Sequence, residues 1–128
     1  MTKNPEEMEL VAIESPYAGD IETNTKYAKR CVMDCLRRGE APYASHLFFT
    51  QDGLLDDTVP EERKLGIMAG KAWELQAKKT AIYVDRGISA GMELGIKLAK
   101  EAGRTVVRRS FGEDWTNNDG LSTEENFE

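Results

Sequence analysis

The sequence predicts an α/β fold: a Rossmann-like or flavodoxin-like three-layer sandwich on a four- to five-stranded, mainly parallel sheet. Three observations predict it. Short apolar runs with β-branched residues alternate with longer segments whose apolar positions recur at helical spacing. Capping and turn residues stand at the joins, and glycines stand where the helices should end. The resulting order, strand and helix in alternation from first strand to fourth, is that of right-handed crossovers between parallel strands with helices on both faces. The 128 residues suit one core, because a chain of that size buries roughly two-thirds of the surface it exposes when unfolded.

Residues 10–14 (LVAIE) are apolar, branched at Val11 and Ile13, and ended by Ser15-Pro16, so they read as strand one. From Thr23 or Asn24, both good caps, Tyr27, Ala28, Cys31, Val32, Cys35 and Leu36 form a helical stripe that stops at Gly39. Residues 42–49 (PYASHLFF) are apolar and aromatic but begin at a proline, which places strand two in their middle; 51–57 is loop. Thr58 with Glu61 has the capping-box spacing, Pro60 suits a first turn, and Leu65, Met68, Ala69, Ala72 and Leu75 give helix two an apolar face to about Lys78. Gly66 and Gly70 each cost this helix about 1 kcal/mol relative to Ala, so a helix or subunit is expected to pack closely there. Residues 80–84 (TAIYV) read as strand three, 89–102 as helix three ending at Gly103, and 105–107 as the heart of strand four.

No apolar run of roughly eighteen residues or more occurs, and the start MTKNPEEMEL is acidic where a secretory signal needs a basic region and an apolar stretch. A soluble, cytoplasmic protein with no membrane partner is expected. Cys31 and Cys35 lie four apart on a helix, which is neither a redox pair nor a metal-ligand set, so buried reduced thiols and no metal are expected. The net charge of -6 is concentrated: after Phe111 come Glu113, Asp114, Asp119, Glu124, Glu125 and Glu128 with no Lys or Arg, while the rest balances at 17 acidic and 17 basic residues. A domain over 1–111 followed by an acidic, flexible tail over 112–128 is the reading, with partner engagement through Trp115 and Phe127 as the alternative. Binding to a nucleic-acid polymer needs phosphates neutralised by a basic stripe, and none is visible, so any nucleotide ligand should be small.

In such a sheet, ligands bind beyond the carboxyl ends of the strands. That rule selects Ser15, Pro16 and Tyr17 after strand one, His46 near strand two, and residues 85–93 after strand three. The last run, DRGISAGME, passes from a strand end through glycines into a helix start, where free N–H groups and the helix dipole favour an anion, either a ligand group or Glu93 itself. A positioned carboxylate can attack an anomeric carbon to form a sugar ester, with Asp85 placed to orient or protonate the leaving base. Each residue also has a plainer role: Glu93 paired with Lys97, Asp85 in a turn, Ser89 as a helix cap, His46 as a hydrogen-bonded structural histidine, Tyr17 packed over its loop. Their convergence on neighbouring strand ends is what favours a site. No dinucleotide fingerprint and no GxxxxGK[ST] loop is present, so no cofactor is expected.

Four linked motifs, SPYAGD with Asn24 and Ala28 (residues 15–28), GEAPYASHL (39–47), PEERKLG (60–66) and SAGMELG (89–95), resemble the small DUF4406-like or DUF7768-like group, often phage-encoded. That group is similar to nucleoside 2-deoxyribosyltransferases and deoxynucleoside monophosphate glycosidases. The resemblance implies N-glycosidic cleavage or deoxyribosyl transfer on a small nucleoside or nucleotide, with Glu93 of GMELG as nucleophile and Gly91 and Met92 beside it. It also implies that Asp85 helps hold the base, that Tyr17 contacts the sugar, and that the chain forms a homo-oligomer. Ser89 stands four residues before Glu93, whereas the monophosphate glycosidases place their phosphate-binding serine six before. A non-catalytic module that sequesters a nucleotide in the same pocket is the competing expectation.

Overall fold

The computed structural model describes residues 3–117 and 119–127. One sheet contains β1 (Leu10–Glu14), β2 (Ala41–Tyr43), β3 (Lys79–Tyr83), β4 (Thr105–Ser110) and β5 (Thr123–Asn126), in the order β2-β1-β3-β4-β5. The first four strands are parallel, and β5 runs antiparallel to β4. The crossovers carry α1 (Ile21–Arg37), α2 (Pro60–Glu74) and α3 (Ala90–Glu101). The α/β sandwich that the alternation predicts is therefore present.

Side chains alternate across a strand, and this alternation builds the layers. Val11 and Ile13 of β1 join Tyr83 of β3 and Val107 of β4 against Tyr27, Cys31 and Cys35 of α1. On the opposite face Ile82 and Val106 meet Met92, Ile96 and Ala99 of α3. Glu14 is in phase with Ala12 on this second face, and there it meets Gly95 of α3 and Glu74 of α2. Both cysteines are free and buried, and burial pushes the Cys35 thiol up to about 12.

Several boundaries move for local reasons. Helix α1 starts at Ile21 because Asp20, not Thr23 or Asn24, is its cap, accepting from the Thr23 N–H at 3.2 Å. Strand β2 ends early, at Tyr43, and a 3-10 turn (Ser45–Leu47) follows; its Pro42 is tolerated because β2 is an edge strand. The capping box at α2 does not form: the Thr58 hydroxyl donates to Asp56 Oδ1 at 2.6 Å, and Val59 is the N-cap. The glycines of α2 admit the chain's own segment after β2 rather than another helix. A Cβ at Gly66 would lie 3.2 Å from Leu55 Cδ1, and one at Gly70 would lie 3.4 Å from Ser45 Cβ. The outward side of α2 leaves Leu65, Met68, Trp73 and Leu75 exposed.

The acidic segment expected to be flexible is docked. Trp115 packs edge-on against Tyr27 at 5.0 Å between ring centroids. Ser122 donates from its N–H and hydroxyl to the buried Asp34, at 2.8 and 2.6 Å. Arg37 donates to the Asp119 carbonyl at 2.7 Å, and Arg109 reaches Glu124 Oε1 at 2.9 Å. Arg108 and Arg109 of β4 thus meet the carboxylates of Glu125 and Glu124, whereas Arg37 of α1 meets the backbone of the segment. Among the described residues, no helix is long and apolar enough to cross a membrane.

Candidate functional site

The connections leave β1 toward β2 on one side and β3 toward β4 on the other, so a crevice opens beyond their carboxyl ends. It is a cavity of about 290 Å³. Its wall comes from the end of β1 (Ile13, Glu14), the loop that follows (Tyr17, Ala18), the turn after β2 (Ser45, His46), the inner side of α2 and the start of α3.

Two aromatic rings form one side. Tyr17 and His46 stack at 4.9 Å with their planes 16° apart. Burial holds the His46 imidazole below its ordinary pKa, so it is mainly neutral at neutral pH, and the ring is hydrogen-bonded to the Ser15 backbone. Asn24, buried on α1, fixes the loop: its amide donates to the Tyr17 and Ala18 carbonyls at 3.0 and 3.2 Å and accepts from Arg86 Nε at 2.8 Å. One side chain therefore ties the loop after β1 to the loop after β3.

The start of α3 forms another side. Ser89 caps it, accepting from the Met92 N–H at 3.2 Å, and its carbonyl takes the Glu93 N–H at 2.9 Å. Ser89, Gly91 and Met92 all line the cavity. Ser15 and Pro16 are buried beneath it and do not line it.

The two carboxylates expected to be catalytic are elsewhere. Glu93 is exposed and forms no part of the wall, because one residue after the buried Met92 the helix has turned about 100°. No ion pair joins it to Lys97 among the described residues. Asp85 is spent on structure: Oδ2 accepts from the Tyr27 hydroxyl at 2.7 Å, and Oδ1 accepts from the Ser110 hydroxyl, Phe111 N–H and Gly112 N–H at 2.7, 3.0 and 2.9 Å. Burial works against its charge, but these bonds outweigh it and hold the carboxyl below its ordinary range. Asp85 also lies off the wall; it shapes the exit of β4.

The cavity has its own carboxyl pair, Glu14 and Glu74, with Lys71 Nζ 3.2 Å from Glu74 Oε2. Glu14 is only 9% exposed and Glu74 8%. Burial first, then the charge of Glu74, push the Glu14 carboxyl up to about 8. Sequence reading missed this pair, although a glutamate ending an otherwise apolar parallel strand was the available signal. Space for it comes from Gly95, where a Cβ would sit 2.3 Å from Glu14 Oε2. Gly95→Ala is accordingly expected to displace the Glu14 carboxyl and lower the unfolding free energy by about 1–3 kcal/mol. A urea unfolding curve checks this, and an unchanged midpoint would refute the contact.

Fold and crevice together define the class: a doubly wound α/β domain whose cleft lies at the topological switch point and is lined by carboxyl and aromatic groups. The family model described as Domain of unknown function (DUF7768) matches residues 9–109, and the chain belongs to that family. No curated protein matches it.

Proposed function

We propose that this protein cleaves the N-glycosidic bond of a nucleoside or deoxynucleotide, or transfers its deoxyribosyl group, in the cavity beyond β1. The observation that carries the reading is a buried carboxyl, Glu14, on the wall of a cavity that the stacked Tyr17 and His46 also line. A nucleobase would extend this stack from the outer face of one of its two rings. A carboxyl beside it is the group that N-glycosidic cleavage needs, because the base departs poorly as an anion and the sugar develops positive charge. Ala90 and Gly91, the first residues of α3, line the cavity, and N–H groups at a helix start suit sugar or phosphate oxygens.

Binding without turnover is the second reading, and one observation favours it: Glu93, the nucleophile implied by the resemblance, and Asp85, expected to hold or protonate the base, both stand off the wall. A single incubation separates the two. Purine and pyrimidine 2′-deoxynucleosides and their 5′-monophosphates are mixed with the protein and free base is measured by chromatography. Base release above the protein-free blank is expected. Binding of a member of this panel, seen by native mass spectrometry, with no base released would support sequestration instead.

A further inference from the structure

We propose that Glu14 is the proton donor of this site, protonating the leaving nucleobase, and that Glu74, held in place by Lys71, is the positioning residue that keeps the proton on Glu14. The inference rests on the N-glycosidic reading above and assigns it residues that the GMELG resemblance does not.

The geometry carries the assignment. Glu14 ends β1 on the face covered by α2 and α3, buried and on the cavity wall, with its carboxyl pressed against the bare Cα of Gly95. Among the described residues its only hydrogen-bond partner is the Glu74 carboxyl. No N–H, hydroxyl or ammonium donor reaches it, so a buried carboxyl here faces the cavity without the partners that a structural carboxylate collects. Asp85, with donors from Tyr27, Ser110, Phe111 and Gly112, is the contrast within the same molecule. Two carboxyl groups in contact hold a proton between them. Glu74 has the Lys71 ammonium 3.2 Å from its Oε2, a cationic partner that Glu14 lacks among the described residues, so the shared proton is assigned to Glu14.

The charged groups acting on Glu14 are Glu74 of α2, which favours its proton, and Lys71 of α2 and Arg104 after α3, which oppose it; Asp57, Glu62 and Arg63 line the same cavity. His46 faces the same cavity from the turn after β2, and burial keeps it mainly neutral. The Tyr43 hydroxyl, beside Gly70 and raised to about 12 by burial and Glu74, is buried without a partner among the described residues and carries no charge at neutral pH. With burial and Glu74 both raising it to about 8, Glu14 still holds its proton at neutral pH.

The step balances with water as the second reactant. The C1′–N bond breaks and its electron pair goes to the base nitrogen, which takes the proton from Glu14. Water adds to the cationic C1′ and gives a proton to the Glu14 carboxylate, restoring the acid and releasing free base and sugar. Acid and nucleophile or base in a glycosidase stand about 5–9.5 Å apart. Two glutamates in direct contact are too close for that division of labour, so they act as one donor rather than as acid and nucleophile.

Base release from the 2′-deoxynucleoside panel is measured against pH for wild type, Glu14→Gln, Glu14→Asp, Glu74→Gln and Glu93→Gln, with circular dichroism on each and nucleoside binding by calorimetry. Glu14→Gln is expected to fold, to bind, and to lose about 100-fold or more in release. Glu14→Asp, which retracts the carboxyl, should lose part of the rate and keep a descending limb at alkaline pH. In wild type that limb falls near pH 8, and Glu74→Gln should move it to lower pH, which a merely structural role would not do. Release that survives Glu14→Gln, release abolished by Glu93→Gln alone, or a limb that Glu74→Gln leaves in place overturns the inference while sparing the parent reading. No release from wild type overturns both.

Discussion

Arg109→Met is expected to lower the unfolding free energy by about 3–5 kcal/mol, because it leaves a buried carboxylate without its main partner. Arg109 is fully buried at the end of β4. Its Nη1 and Nη2 donate to the two oxygens of Glu40 at 2.9 and 2.7 Å, Nη1 reaches the Tyr83 hydroxyl at 3.0 Å, and Nε reaches Glu124 at 2.9 Å. Methionine fills much of the same space, so the loss measured is mainly that of charge and hydrogen bonds. Lys79 remains 3.3 Å from Glu40 Oε2 and softens the loss. Burial opposes the charge on Glu40, but the bonds and charge of Arg109 outweigh it and hold that carboxyl below its ordinary value. A depressed carboxyl contributes stability that is present above its unfolded pKa and lost as pH falls through the folded one. The deficit of Arg109→Met should therefore shrink in mild acid, where the abandoned Glu40 takes up a proton. Urea titrations at neutral and acid pH read both effects, and Arg109→Met with Glu40→Gln should recover part of the loss. A single variant as stable as wild type would show that the pair contributes nothing.

The same residues show what the sequence made legible. Periodicity found the elements because apolar side chains must face the sheet: Val11, Ile13, Tyr27, Cys31 and Cys35 meet as their spacing requires. Gly39 and Gly103 ended helices as expected, at φ of 80° and 72°. Long-range polar pairing was not legible. Nothing in GEDWTNNDGLSTEENFE says that Ser122 will satisfy Asp34, or Glu124 Arg109, since those partners are 88 and 15 residues away. Local spacing finds charges but not their partners, so a tail that docks through such pairs reads as a solvated one.

The strand-end rule points to the crevice but not to the carboxyl groups on its wall. Tyr17, His46, Ser89, Gly91 and Met92 all line that crevice. Glu93 was selected by its motif, and the turn of α3 carries it to the outside. Glu14 closes an apolar strand and reads as that strand's polar end, because one sequence does not reveal that Glu74 of α2 will arrive against it.

Glu14→Gln supplies the opposite sign. In the unfolded chain the Glu14 carboxyl ionises near its ordinary value of 4.5, whereas in the folded protein it keeps its proton to about 8. Between those values the unfolded state sheds a proton that the native state retains, so this group makes stability fall as pH rises. Glutamine cannot ionise in either state, and its amide can donate to Glu74 where the acid did. A gain of a few kcal/mol above neutral pH is expected, since each unit of difference corresponds to about 1.4 kcal/mol. Thermal or urea unfolding of the variant and wild type across pH 5 to 9 checks the sign as well as the size. The gain should be small at the acid end and should grow toward the alkaline end. A variant that is less stable throughout would mean the native carboxyl is charged and well paired, and so cannot be a proton donor. Stability rising while base release falls is the pattern of a group retained for chemistry at the expense of the fold. A packing residue has no reason to move the two in opposite directions.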